Sequence, residues 1–215
     1  MDIKKRIIDF IRRNRVSTTE VADCLGKTGV LENVMPINCG HFKVGNVKWV
    51  YAYAESNWDV HEQIISTKEN DIVFIEAFDC KHRAIIGELV CKYILLYRQA
   101  SAIVCNAKVR DAGALLRENY PIWCTGFTPV GCFNTKPEIA LDSTIVEMSK
   151  SKYEGAIAVC DDCGVVVIPK ELHTEDFYQK LVKIEEQEDI WFNRLDHYKE
   201  STFDIVCLKK YLVSK

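Results

Sequence analysis

Residues 84–116 read AIIGELVCKYILLYRQASAIVCNAKVRDAGALL and alternate between two hydrophobic patterns. The short apolar runs Ala84–Ile86 and Ala102–Cys105 predict buried strands. Leu89–Tyr97 and Ala112–Asn119 have helical spacing, and the first of these segments is apolar around most of its surface, which predicts a buried helix. The stretch therefore predicts strand–helix–strand–helix, the repeating unit of an α/β fold.

The same alternation continues on both sides of this stretch. Val44–Ala54 predicts a strand, Trp58–Thr67 a helix and Ile72–Ile75 a buried strand. Downstream, Ile122–Thr125 predicts a strand that is entered through Pro121. The middle of the chain is therefore predicted as βαβαβ.

The last third of the chain predicts a different arrangement. Thr144–Met148, Ala156–Cys160 and Val165–Ile168 are predicted as strands of an antiparallel layer, and the turn residues Asp161–Gly164 join the last two. A long charged helix is predicted from Glu175 to about Lys199.

Two helices are predicted at the start of the chain. The first fifteen residues place six lysines and arginines between apolar residues at helical spacing. Ser17 to Glu20 forms a capping-box pattern, which predicts a second helix that ends at Gly26. A basic amphipathic helix can contact RNA or a membrane surface, but we favour packing of its apolar stripe on the core.

Length and composition limit the possible classes of protein. The chain has 215 residues and 24.7 kDa, enough for one substantial core, and its charge of −3 with a pI near 6.0 argues against a dedicated nucleic-acid binder. No apolar run has the length of a membrane span or signal peptide, and the ten cysteines are scattered. We therefore expect a cytoplasmic protein with reduced thiols, and we interpret the CxxC of Cys160 to Cys163 as a strand end.

The candidate chemistry lies at two junctions where a strand leads into a helix. At Gly87-Glu88-Leu89 the free N–H groups and the positive end of a helix dipole favour a carboxylate ligand. Lys108-Val109-Arg110-Asp111 places a guanidinium and a carboxylate at the same edge of the sheet. The alternative interpretation is an ordinary helix cap with a salt bridge. His61 and His82 lack metal-ligand spacing, so we expect structural roles for them.

From about Val16 to Pro169 the sequence resembles the RraA-like family, which includes class II 4-hydroxy-4-methyl-2-oxoglutarate and 4-carboxy-4-hydroxy-2-oxoadipate aldolases. The order and spacing of several segments carry this resemblance: Thr18–Gly26, Asp71–Ile75, Gly87–Val90, Val109–Asp111, Pro121–Trp123, Thr128–Gly131 and Asp161–Pro169. The resemblance implies a compact α/β sandwich of the swivelling, phosphohistidine-domain-like type, assembled as trimers or hexamers with the site at a subunit boundary. We expect one domain over residues 1–215, with N-terminal helices in 1–26 and a C-terminal helical extension over about 174–200.

The resemblance also implies a reaction and the residues for it. Asp111 would hold a divalent metal, Mg²⁺ or Mn²⁺. Arg110 would bind the keto or carboxylate oxygen of a 2-oxo acid and would be catalytic by stabilising the negative charge that develops. Gly87, Glu88, Leu89 and Val90 would form the substrate-binding turn, with Glu88 also catalytic through a water on the metal. The implied reaction is retro-aldol cleavage of a 4-hydroxy-2-oxo acid, which releases pyruvate, with decarboxylation of oxaloacetate as a side activity.

Departures from the family pattern leave alternatives open. The spacing from Glu88 to Arg110 is one residue longer than in the family, and Lys108 adds a positive charge. Family aldolases use a glutamate from a neighbouring subunit, for which Glu185, Glu186 and Glu188 are candidates. The alternatives are a regulator that binds a ribonuclease, as some family members do without the acidic residue after the arginine, and an enzyme for a specialised sugar acid with a pocket reshaped near Trp49 and Trp58.

Overall fold

The computed structural model describes residues 2–212, and its seven α-helices and nine strands alternate through the middle of the chain. The helices are Ile3–Asn14 (α1), Thr18–Cys24 (α2), Trp58–Gln63 (α3), Glu88–Lys92 (α4), Ala112–Arg117 (α5), Ser143–Tyr153 (α6) and Glu175–Tyr198 (α7). The strands are Met35–Pro36 (β1), Lys43–Tyr53 (β2), Ile72–Phe78 (β3), Ala84–Ile86 (β4), Ala102–Cys105 (β5), Lys108–Val109 (β6), Ile122–Cys124 (β7), Ile157–Asp161 (β8) and Gly164–Ile168 (β9).

A seven-stranded sheet in the order β1-β7-β5-β3-β2-β8-β9 forms the centre of the fold. The neighbouring strands β2, β3, β5 and β7 are parallel, as the predicted βαβαβ pattern requires. β1, β8 and β9 extend this group with antiparallel pairs. The predicted α/β fold is confirmed.

The sheet is buried on both faces because its central strands are continuous apolar runs. Val73 and Ile75 of β3 pack on one face with α3, α4 and α5, whereas Ile72 and Phe74 pack on the other face with Trp123 and the β8–β9 hairpin. A third cluster joins α1, α2 and α7 to the outer side of β8 and β9.

The N-terminal helices form as predicted. Ile7 and Ile11 of α1 are fully buried, so the apolar stripe of this basic helix packs on the core. The capping box is complete, since the hydroxyl of Ser17 accepts a hydrogen bond from the N–H of Glu20 and the Glu20 carboxylate accepts one from the N–H of Ser17. No helix between residues 2 and 212 combines the length and the apolar composition needed to cross a bilayer.

Three predictions of local structure need correction. The predicted strand Thr144–Met148 lies within helix α6, which begins where the Asp142 side chain accepts a hydrogen bond of 2.7 Å from the N–H of Thr144. β8 and β9 are antiparallel to each other as predicted, but β8 pairs with β2, so they extend the main sheet. The helix predicted over Leu89–Tyr97 is buried on one face only, since Leu89 is 80% exposed.

Candidate active site

A second, two-stranded sheet brings the two predicted junctions together. β4 and β6 are parallel neighbours, with Ala84 opposite Lys108 and Ile86 opposite Val109. The N–H of Arg110 donates a hydrogen bond of 3.0 Å to the carbonyl of Ile86. The turns that follow the two strands therefore lie side by side, and each turn leads into a helix.

Asp111 links these two turns through its side chain. Its Oδ2 accepts a hydrogen bond of 2.9 Å from the backbone N–H of Glu88, the first residue of α4. Asp111 itself occupies the N-cap position of α5 but does not cap that helix with its side chain. Its backbone is left-handed, with φ 61° and ψ 37°, a conformation that aspartate tolerates better than most residues. The local backbone thus aims the carboxylate across to α4.

Arg110 lies in a narrow space that two glycines provide. Its Nε is 3.8 Å from Oδ2 of Asp111, and about half of each side chain is exposed. A Cβ added at Gly131 would lie 2.4 Å from Nη1 of Arg110, and one added at Gly87 would lie 2.2 Å from Oδ2 of Asp111. A methyl group at either position would therefore force these charged side chains to move.

A cavity of about 360 Å³ opens beside this pair. Of the predicted site residues, Gly87, Leu89, Val90, Arg110 and Asp111 line it. Glu88 takes part through its backbone N–H, and its half-buried side chain is not among the lining groups. The structure therefore brings the two predicted turns to one cavity and places the Glu88 carboxylate outside its lining.

The cavity lining also includes residues to which the sequence analysis assigned no role in the site. Asn57 is buried, and its Nδ2 donates to the carbonyl of Ile85 at 2.9 Å, while Nδ2 of Asn134 donates to Oδ1 of Asn57 at 2.7 Å. His61 also lines the cavity, although we expected a structural role for it. The signal available in the sequence was Asn57 directly before a predicted helix, a position that is typical of a cap and not of a site.

The two tryptophans considered for a reshaped pocket have different positions. Trp49 is buried on the far face of the sheet, where its Nε1 donates to Glu76 at 2.8 Å, so it does not reach the cavity. Trp58 lines an adjacent cavity of about 420 Å³ that shares His61 and Asn134 with the first. Only Trp58 of the two is placed to influence a ligand.

The residues at the junction fit a metal ion with a single protein ligand. Within residues 2–212, no three His, Cys, Asp or Glu side chains are close enough together to hold a metal ion. Asp111 uses Oδ2 for the N–H of Glu88, which leaves Oδ1 to bind a cation. Mg²⁺ and Mn²⁺ prefer oxygen ligands, and Mg²⁺ usually keeps several of its waters, so one carboxylate is chemically sufficient.

The candidate glutamates near the C-terminus lie on a different part of the chain. Glu185, Glu186 and Glu188 belong to α7, which packs against α1 and α2. Burial and the nearby Glu20 raise the pKa values of Glu185 and Glu188. Within one chain these glutamates do not line the cavity, so a role for them in the site of a neighbouring subunit stays a prediction.

Comparison with known proteins gives matches over most of this fold. A family model described as RraA-like, Aldolase/RraA, matches residues 18–167. A protein of Halalkalibacterium halodurans, provisionally named as a 4-hydroxy-4-methyl-2-oxoglutarate aldolase, is 29% identical over 170 residues, which are 76% of this chain and 78% of that protein.

Solved structures show the same fold at low sequence identity. An uncharacterised protein from Pseudomonas syringae pv. tomato has a TM-score of 0.72 at 17% identity, over 95% of this chain and 94% of its own. A protein from Streptomyces coelicolor, described as an unusual member of the RNase ES inhibitor RraA family, has a TM-score of 0.68 at 20% identity, over 86% of this chain and 94% of its own.

The family match runs from the start of α2 to Val167 in β9, so it includes the main sheet, both junctions and the cavity between them, and it leaves α1 and α7 outside. The predicted resemblance is confirmed on these grounds. The chain belongs to the RraA-like family.

Proposed function

We propose that the protein is a divalent-metal-dependent lyase that cleaves a 4-hydroxy-2-oxo acid and releases pyruvate. The observation that carries this proposal is the meeting of the Asp111 carboxylate, the Arg110 guanidinium and the start of α4 at one cavity. Membership of the RraA-like family and the name of the Halalkalibacterium relative support it.

The first turn of α4 binds the carboxylate of the substrate in this proposal. The first hydrogen bond within the helix runs from the N–H of Cys91 to the carbonyl of Gly87, so the N–H groups of Leu89 and Val90 have no partner inside the helix. Two backbone donors and the helix dipole favour an anion there. The N–H groups of this turn would therefore orient the substrate carboxylate without the help of a further charged side chain.

Arg110 stabilises negative charge on the pyruvate half. Its guanidinium lies next to the same turn, and a planar group with several N–H donors matches a keto or carboxylate oxygen. The guanidinium passes close to Gly87 and Gly131 and lies 3.8 Å from the Asp111 carboxylate, which places its N–H donors at the cavity where the charge would develop.

Asp111 would hold Mg²⁺ or Mn²⁺. When bound, the ion would supply Lewis-acid chemistry for the negative charge that develops on the pyruvate unit. As the family resemblance implies, Glu88 would orient a water that accepts the C4 hydroxyl proton; its half-buried side chain lies outside the cavity lining, so this role requires the side chain to turn toward the ligand. Oxaloacetate decarboxylation leaves the same pyruvate unit, so we propose it as a side activity.

The experiment is a screen for pyruvate release. Purified protein is given 4-hydroxy-4-methyl-2-oxoglutarate, related 4-hydroxy-2-oxo acids and oxaloacetate, with Mg²⁺, with Mn²⁺ or with a chelator. We expect pyruvate only with metal. Release that continues at full rate in the chelator would contradict the proposal. Absence of release from every acid, together with capture of a ribonuclease, would favour the regulator instead.

A further inference from the structure

A second cavity, which we call the α3 cavity, adjoins the candidate active site along one side of α3. It has a volume of about 420 Å³ and shares His61 and Asn134 with the first cavity. We propose that the α3 cavity binds the substituent on C4 of the substrate and selects an uncharged apolar or aromatic group there. This inference rests on the proposed function, since it concerns the half of the 4-hydroxy-2-oxo acid that is not released as pyruvate.

The first support is the apolar wall of the α3 cavity. Most of its lining residues follow the spacing i, i+3, i+4 and i+7 on α3 and on the 3₁₀ turn that continues it. These residues are Trp58, His61, Glu62 and Ile65. Trp58 is 43% exposed and Ile65 is 60% exposed, so both leave apolar surface open to a ligand. Binding pockets for small molecules are typically lined by such aromatic and aliphatic side chains.

The second support is the charge around the α3 cavity. Its described lining contains one carboxylate, from Glu62, and no lysine or arginine. Burial, followed by the Glu62 carboxylate, raises the pKa of the nearby Asp59, and the Lys136 ammonium opposes this shift only in part. A carboxylate on C4 of the substrate would therefore meet like charge here, whereas an uncharged group would not.

Tertiary hydrogen bonds fix the α3 cavity relative to the candidate active site. Nδ2 of Asn57, the residue directly before α3, donates to the carbonyl of Ile85 in β4 at 2.9 Å. Nδ2 of Asn134 donates to Oδ1 of Asn57 at 2.7 Å. The wall that the two cavities share is therefore tied to the strand that leads into the candidate site, as a subsite for the same ligand requires.

A third cavity offers a different path from the candidate active site. It has a volume of about 280 Å³, is lined in part by Phe127, and shares only Arg110 and Asp111 with the described lining of the first cavity. A substituent that extends into it would have to pass the two side chains that hold the metal and the pyruvate half in the proposed function. The α3 cavity is reached past His61 and Asn134, to which that function assigns no contact with the pyruvate half, so we place the C4 substituent there.

The substrate class that fits this cavity is a 4-hydroxy-2-oxo acid with an apolar or aromatic group on C4. A phenyl group could pack on the exposed indole of Trp58 and on Ile65. Affinity rises with the apolar area removed from water, so we expect a gain of about tenfold over a ligand without the group. 4-Hydroxy-4-methyl-2-oxoglutarate carries a carboxylate on C4, which would lie near Glu62, so it should be the poorer substrate.

The test measures the binding of three 2-oxo acids that lack the C4 hydroxyl, so retro-aldol cleavage cannot occur. 2-Oxobutanoate, 2-oxoglutarate and 2-oxo-4-phenylbutanoate carry hydrogen, a carboxylate and a phenyl group on C4, respectively. Each acid is titrated into the protein with Mg²⁺ present, and its Kd is measured by calorimetry. We expect the phenyl compound to bind about tenfold more tightly than 2-oxobutanoate, and 2-oxoglutarate to bind no more tightly than 2-oxobutanoate.

Three variants assign the effect to the α3 cavity. W58A should weaken the binding of 2-oxo-4-phenylbutanoate to the level of 2-oxobutanoate and leave the binding of 2-oxobutanoate unchanged. F127A, which removes an aromatic side chain at the third cavity, is the matched control and should keep the full preference for the phenyl compound. E62Q, at an exposed position, should tighten the binding of 2-oxoglutarate and leave that of the phenyl compound unchanged.

Two kinds of failure can be told apart. Tighter binding of 2-oxoglutarate than of the phenyl compound, or loss of the phenyl preference in F127A and not in W58A, would overturn the inference. Binding of 2-oxobutanoate without any gain from the phenyl group would overturn it as well, and the proposed function would stand. If none of the three acids binds in the presence of Mg²⁺, the proposed pyruvate site fails and the inference fails with it.

Discussion

The carboxylate of Asp111 accepts a hydrogen bond of 2.9 Å from the backbone N–H of Glu88, and this contact joins the starts of two helices across the small β4–β6 sheet. The two residues are 23 positions apart in sequence. The contact places the Asp111 carboxylate and the adjacent Arg110 guanidinium beside the open N–H groups of α4. The geometry of the candidate site depends on this one side chain.

The Asp111 contact should have a measurable effect on stability. We expect D111N to unfold within about 0.5–1 kcal/mol of the wild type, because asparagine tolerates the left-handed backbone and keeps an acceptor for the Glu88 N–H. D111A loses both features and should cost roughly 1–2 kcal/mol. Urea unfolding measures both values, and an alanine variant as stable as the asparagine variant would contradict the assigned contact.

Replacing Gly131 or Gly87 by alanine should impair the candidate site more than the stability of the fold. In G131A the new Cβ would meet the flexible end of Arg110, so the guanidinium should move at little cost in stability while substrate binding weakens. G87A should disturb the Asp111 carboxylate in the same way.

The control for these variants is G113A, at a helical position with open space around it. This change should stabilise the protein by about 0.5–1 kcal/mol, because alanine has the higher helix propensity. Its effect on pyruvate release should be absent. Equal loss of activity in all three glycine variants would show that the close approach to Arg110 and Asp111 is irrelevant.

The Asp161 carboxylate should anchor the β8–β9 turn to α2. It accepts hydrogen bonds from the N–H and the hydroxyl of Thr18 at 2.8 and 2.7 Å, and from the N–H of Cys163 at 2.8 Å. We expect D161A to lose roughly 2–3 kcal/mol of unfolding free energy, since several bonds to one charged group are removed. D162A, which removes a single bond to Gly40, should lose clearly less in the same urea titration.

The half-buried His173 should make the free energy of unfolding depend on pH. Burial, followed by the nearby Lys4 ammonium, lowers the pKa of His173 below 6.5, so the unfolded chain binds this proton more readily than the folded chain. The contribution of neutral His173 to the free energy of unfolding is therefore complete above pH 6.5. It is lost as the pH falls through the lowered pKa.

The H173Q variant isolates this effect. Its unfolding free energy should fall less than that of the wild type between neutral and mildly acidic pH, because the titrating ring is gone. H197Q, at an exposed position on α7, serves as the control and should keep the wild-type slope. A wild-type slope in H173Q as well would contradict the assignment.

The parallel strands could be predicted because burial on both faces requires uninterrupted apolar runs, as in β3 and β5. Helix α6 was mistaken for a strand because Thr144, Ile145 and Val146 favour strands by composition. The sequence signal for the helix was Asp142. Its side chain accepts a hydrogen bond from the N–H of Thr144, a donor that has no backbone partner at the start of a helix. In a prediction from residue types, one capping residue counts for less than three consecutive β-branched residues.

Site residues could be predicted only where a reactive or ligand-binding residue type stands at a strand-to-helix junction that the hydrophobic pattern reveals. Gly87 and Arg110–Asp111 each stand at a strand-to-helix junction, so their position could be read from sequence. Asn57 and Asn134 reach the same cavity from distant segments, and their contact is a tertiary hydrogen bond that no spacing encodes. The approach of Gly131 to Arg110 is of the same kind, since a glycine two residues after a proline in a loop ordinarily indicates only a turn.

The most direct test of the account is the rate of pyruvate release from oxaloacetate, with saturating Mn²⁺, by the wild type and by D111N, with D162N as a matched control for loss of an exposed carboxylate. We predict metal-dependent release by the wild type and by D162N, and none above the metal-only background by D111N while its fold is intact. Equal rates in wild type and D111N would contradict the role of Asp111 on which the proposed lyase rests.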